Sequence, residues 1–177
     1  MNRRVLYTVI IIALVVETTG LVWLYLKYKD LNDKCKYATW NIATKSMRYL
    51  KSKIELLLYL SENNPDTHLM GLTARNAAEH SLIAARALYA LYANGVGKSE
   101  NTYVLHVALN NMEVYFSSFA NNPDSKRITL LRENKELLEE AIFILGEIVL
   151  TYQWNPDDIP YSLVSRLHEI SEQLQTY

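Results

Sequence analysis

Residues 40–66 read WNIATKSMRYLKSKIELLLYLSENNPD, and this stretch decides the fold. Trp40, Ala43, Met47, Leu50, Ile54, Leu57 and Ser61 step by three and four residues in strict alternation, which lines one edge of a helix with a seam of the coiled-coil kind. The seam stops at Asn64-Pro65-Asp66. There Asn64 can cap a new helix, Pro65 can occupy its first position and Asp66 can face the positive end of its dipole. A long helix, a tight joint and a second helix ending near Asn94-Gly95 make a hairpin.

The same punctuation returns as Asn121-Asn122-Pro123-Asp124, displaced by 58 residues when Pro123 is set against Pro65. At that displacement Met47, Leu50, Ile54, Leu57 and Ser61 meet Leu105, Ala108, Met112, Tyr115 and Phe119. Downstream the match thins to Met70 with Ile128, Leu72 with Leu130 and Asn76 with Asn134. The chain therefore reads as two helical hairpins of similar build, the product of a duplication. The fourth helix is expected from Pro123 to Tyr152, with Leu131, Leu138, Ile142, Leu145 and Val149 inward and Arg132, Lys135, Glu136, Glu139 and Glu140 on a solvated face. A third joint, Asn155-Pro156-Asp157, leads through Pro160 into a short helix carrying Leu163, Val164, Leu167, Ile170 and Leu174. The expected class is all-α, an up-and-down bundle of four to five helices built from two hairpins plus a short C-terminal helix.

Before the bundle, Glu17 is the only ionisable side chain from Val5 to Leu26 apart from the tyrosines, and these residues would span about 33 Å as a helix. The sequence predicts one transmembrane helix. A cleaved signal peptide would be cut near Thr18-Thr19-Gly20, yet the apolar run resumes as Leu21-Val22-Trp23-Leu24-Tyr25-Leu26. Trp23, Tyr25 and Tyr28 beside Lys27 and Lys29 resemble an interfacial belt. Ala13, Glu17 and Gly20 share one stripe, the expected contact to another membrane helix. The divisions are an anchor over 1–28, a juxtamembrane extension over 29–39 and a bundle over 40–177.

Charge is uneven. Residues 1–37 hold six Lys/Arg against three Asp/Glu, and residues 38–177 hold twelve against sixteen, so the segments carry +3 and −4. A mildly acidic bundle lacks the basic footprint of a phosphate binder, and nucleic acid is not expected as a partner. Lys27, Lys29, Lys34, Lys36 and Lys45 against Arg3 and Arg4 favour a bundle on the cytoplasmic side. The one cysteine, Cys35, permits no intrachain disulfide and reads as a plain thiol.

Chemistry is sparse. The four histidines His68, His80, His106 and His168 are nowhere spaced as a metal pair, and no Glu stands three residues before any of them, so neither metal nor cofactor is expected. One run, Arg75-Asn76-Ala77-Ala78-Glu79-His80, resembles the motif of HEPN-domain ribonucleases, helical bundles whose Arg and His lie four to six residues apart. The resemblance implies metal-independent RNA cleavage at a dimer cleft, with His80 in proton transfer and Arg75, followed by Asn76, at the phosphate. On a helical wheel, however, Arg75 and His80 lie about 140° apart, which favours a surface ladder of Arg75 with Glu79 and a boundary histidine. The leading expectation is a non-enzymatic, single-pass membrane protein whose bundle binds another protein or a further copy of itself; the nuclease is the alternative.

Overall fold

In the computed structural model, residues 3–63, 66–94, 99–153 and 155–174 are described, apart from the side chains of 3–10, 13 and 99. Every regular element among them is helical: α1 Arg3–Asn63, α2 Thr67–Ala93, α3 Ser99–Asn121, α4 Asp124–Glu133, α5 Lys135–Thr151, a 3₁₀ turn Pro156–Asp158 and α6 Tyr161–Gln173. The chain divides into two units, residues 1–36 and residues 37–177.

The second unit is an up-and-down bundle whose directions follow from side-chain contacts. Tyr49 of α1 stacks on His80 of α2, and Tyr92 and Tyr89 of α2 meet Tyr103 and His106 of α3, so each pair is antiparallel. α5 returns beside α1: Lys135 pairs with Glu62 at one end, and Trp40 Nε1 donates to the Tyr152 carbonyl at the other. α6 runs along α3, held by Asn101 Nδ2 donating to the Ile159 carbonyl and by Asn111 to Ser171. The seam that opens the sequence is the core of α1: Trp40, Ala43, Met47, Leu50, Ile54 and Leu57 are all buried, with Ser61 half-buried beyond them. Their counterparts Leu105, Ala108, Met112, Tyr115 and Phe119 are buried as well.

The shared joint sequence does not give shared cap chemistry. Asn64 and Pro65 lie outside the described residues, and Asp66 itself caps α2, its Oδ1 accepting from the Leu69 N–H at 2.9 Å. Pro123 stands at the N-cap of α4, where its ring offers no acceptor, and Asp124, the first helical residue, joins a cross-joint cluster. Thr67 Oγ1 donates to Asp124 Oδ2, and Arg127 donates to Asp124, to the Thr67 carbonyl and to the Ala120 carbonyl. Gly71 makes room for this guanidinium: a Cβ there would lie 3.0 Å from Arg127 Nη1. The two joints thus abut at one end of the bundle. At the third, Asn155 caps the 3₁₀ turn through the Asp157 N–H.

The single fourth helix expected from Pro123 to Tyr152 is instead two. The break falls at Asn134, whose backbone turns to φ −100° and ψ 8° while its side chain donates to the Leu130 carbonyl. Asn134 is 2% exposed and lies beside Tyr115, whose hydroxyl is pushed well above its usual pKa by burial. An asparagine that bonds the preceding turn competes with the helix ladder, which explains the break. Asn76, its counterpart at the 58-residue displacement, is exposed within α2, so the internal likeness ends here. The fourth-helix charges are only partly a solvated face: Lys135 reaches Glu62, and Glu140 accepts two bonds from Arg166 of α6.

The first unit is helical throughout its described residues and almost wholly exposed. Among the described residues no helix is long and apolar enough to cross a membrane. Of the expected span Val5–Leu26, side chains 5–10 and that of Ala13 lie outside the described residues.

Candidate functional site

Arg75, Asn76 and His80 sit on α2, and the fold does not gather them. Arg75 lines a small recess of about 70 Å³ with His68, Gly71, Leu72, Ala120 and Arg127. Asn76 is exposed. His80 lies on the other flank, its ring stacked on Tyr49 of α1 with centroids 5.0 Å apart and planes 21° from parallel. The ladder of Arg75 with Glu79 is absent from the ion pairs of the described residues. Within one chain, then, the guanidinium and the imidazole face different surroundings, and the recess that Arg75 lines does not include His80.

Burial lowers the His80 pKa below the usual histidine value; Glu79 opposes this and Lys53 adds to it. The buried Nδ1 has no hydrogen-bond partner, so protonation would strand an N–H. A histidine whose folded pKa is depressed leaves the folded state with fewer protons than the unfolded chain. Its stabilising contribution is therefore complete above about pH 6.5 and declines as the pH falls through that unfolded value. We expect His80→Phe, which keeps the ring stack, to flatten the acid side of the stability profile between roughly pH 7 and 5. Urea titrations across that range check this; an unchanged slope would refute it.

Two further surfaces stand apart from this motif. Tyr89, Tyr92, Tyr103 and His106 form a closed ring of aromatic contacts with centroids 5.1–6.3 Å apart, and the three tyrosines are exposed. His106 Nδ1 is tied to the Ala85 carbonyl, which anchors the ring to α2. The sequence already sets Tyr89, Tyr92 and Tyr103 around the Gly95 joint; the antiparallel pairing of α2 with α3 adds His106 and closes the ring.

The second surface is a groove of about 620 Å³ between α1 and α5. Gly146 makes its floor, and a Cβ there would lie 3.1 Å from Lys51 Cε of α1. Phe143 and Leu150 rise from it, 67% and 71% exposed, with Glu139 and Glu147 beside them. Phe143 and Leu150 are seven residues apart and so share a face. Large apolar side chains this open, set together along a groove, are the kind that interfaces cover.

In the first unit, Glu17 and Gly20 of the expected contact stripe are exposed, and a Cβ on Gly20 would meet nothing within 4 Å. Ala13 lies outside the described side chains. Among the described residues, no group of three or more His, Cys, Asp or Glu could hold a metal ion. No protein-family model, curated protein or solved structure matches this chain.

Proposed function

We propose that this protein is a single-pass membrane protein whose helical bundle is an interaction module, binding another protein or a second copy of the chain at the membrane surface. One observation carries the reading. Each described large hydrophobic from Ile11 to Leu26 is at least 55% exposed. Ile11, Ile12, Leu14, Val15, Val16 and Leu24 point around the whole helix and not along a stripe. A helix apolar on every side is stable when surrounded by other apolar matter, and a bilayer surrounds it completely. Each such side chain left in water forgoes roughly 1.5–3 kcal/mol.

The chemistry of the ends agrees. Thr18 and Thr19 donate their hydroxyls back to the carbonyls of Leu14 and Val15, so they present no unsatisfied donor to lipid. Lys27 Nζ lies 5.5 Å from the centre of the Trp23 ring, an aromatic and cation pair at the C-terminal limit of the apolar run. Glu17 is the one carboxyl within it, a candidate contact to a second membrane helix with Ala13 and Gly20. The lysine excess after Leu26 favours the cytoplasmic side for the bundle.

Alkaline carbonate extraction of membranes from expressing cells tests the reading. The chain is expected to stay in the pellet and to be released by detergent, and its bundle to be digested by protease only when the cytoplasmic face is open. Release by carbonate alone would remove the anchor; protection of the bundle on the cytoplasmic side would reverse the topology.

A further inference from the structure

The groove between α1 and α5 has two rims of unlike charge. On the α5 rim stand Glu139 and Glu147; on the α1 rim stands Lys51, with exposed Arg48 one turn earlier on the outward side of the same edge. Lys51 is already bound to Glu55, and Glu139 is held weakly by Lys135. Arg48 and Glu147 take part in none of the ion pairs among the described residues. Between the rims lie Phe143 and Leu150, with the Lys51 stem packed over Gly146.

Heights along the groove follow from one contact. The Cβ position of Gly146 lies against Lys51 Cε, so residues 51 and 146 are level. Because α1 and α5 are antiparallel, Arg48 is level with about residue 149, within one turn of Glu147. A two-fold axis running along the groove carries the α1 rim of one copy onto the α5 rim of another at the same height. Arg48 then faces Glu147 of the second copy, and the relation holds twice, as an isologous contact requires.

We propose that this groove is a self-complementary dimer interface, in which Phe143 and Leu150 of two chains cover one another and Arg48 of each pairs with Glu147 of the other. The proposal rests on the reading of the bundle as an interaction module at a membrane. An axis parallel to the helices also keeps both Tyr37 ends on one side, as two chains held in one bilayer require. A basic amphipathic helix from a different protein fits less well, because it would meet Arg48 and Lys51 on the α1 rim.

The test uses the full-length chain in mild detergent, with mass measured by analytical ultracentrifugation over a concentration series. The wild type is expected to be a dimer. Phe143→Ser and Leu150→Ser alter exposed positions and are expected to give monomers with an unchanged thermal transition. Arg48→Glu and Glu147→Arg are each expected to weaken the dimer at least tenfold, and R48E/E147R to restore it. A wild type that stays monomeric, a dimer indifferent to all of these changes, or a double variant as weak as the singles overturns the proposal. Carbonate extraction of the same variants separates the two readings. Monomeric wild type retained in the membrane removes the dimer alone, whereas a groove-dependent dimer released by carbonate supports the interface and removes the anchor.

Discussion

On the proposed membrane anchor, Val15→Arg combined with Val22→Arg is expected to move the protein out of the membrane fraction. Both valines are more than half exposed on a part of α1 that has apolar side chains on all sides. A charged side chain costs about 2.5–3.5 kcal/mol at the centre of an inserted helix, and less toward its ends. Val15 lies near the middle of the Val5–Leu26 run and Val22 nearer its end, so the pair together is worth about 5 kcal/mol. At 1.4 kcal/mol per factor of ten, that is a shift of between three and four powers of ten in partitioning. The matched Val15→Leu and Val22→Leu variant keeps the apolar character and is expected to remain in the carbonate pellet. If the arginine variant pellets like wild type, the segment is held by something other than lipid.

Trp40→Ala is the second large effect, and it acts on the bundle. Trp40 is 1% exposed and begins the seam that organises α1. Its truncation removes the largest side chain of that seam and leaves a cavity, a change that costs about 3–5 kcal/mol. The indole N–H also donates to the Tyr152 carbonyl at 3.1 Å, tying α1 to the end of α5. That carbonyl keeps a second donor, the Asn155 N–H at 3.3 Å, so it is not orphaned when the indole goes. The hydrogen bond therefore adds only about 0.5–1.5 kcal/mol. Trp40→Phe separates the two contributions, since it fills most of the volume without the donor, and is expected to lose far less than the alanine variant. Guanidinium titrations followed by far-UV circular dichroism read both. An alanine variant within about 1 kcal/mol of wild type would mean that the seam collapses around the gap, contrary to a rigid, close-packed core.

The seam from Trp40 to Leu57 was fully legible because a long amphipathic helix writes its buried edge at steps of three and four, and nothing in the tertiary structure overrides that spacing. The joints were legible as joints, since Asn, Pro and Asp each disfavour continuing a helix. Their chemistry was not. Asp66 caps α2, Asp124 is taken by Thr67 and Arg127, and Asn155 caps a 3₁₀ turn. The choice depends on which neighbours the packed bundle brings within reach, a matter of positions far apart in the chain. The break at Asn134 belongs to the same class. Asn76 is exposed within α2, whereas Asn134 is buried beside Tyr115 and bonds the Leu130 carbonyl where the helix breaks.

The candidate site shows the same division. Proximity in sequence put Arg75 and His80 together as a motif, yet the helix turns them apart and gives His80 to Tyr49. Conversely, the groove that unites Lys51 with Gly146, and the aromatic ring that unites Tyr89 with His106, join residues whose sequence separations carry no regularity.

What the sequence by itself determined is therefore what local geometry and solvation decide: an all-helical chain, the buried edge of α1 in the bundle, and the joints at Asn-Pro-Asp. What the tertiary structure alone decided is which edges meet. It set the antiparallel pairing of α1 with α5, the clamp of Arg127 on Gly71, and the open groove with Phe143 and Leu150 on it. The physical reason is that hydrophobic burial is non-directional. A periodic pattern states that a face must be covered, but the particular partner is selected by shape, small residues and individual hydrogen bonds.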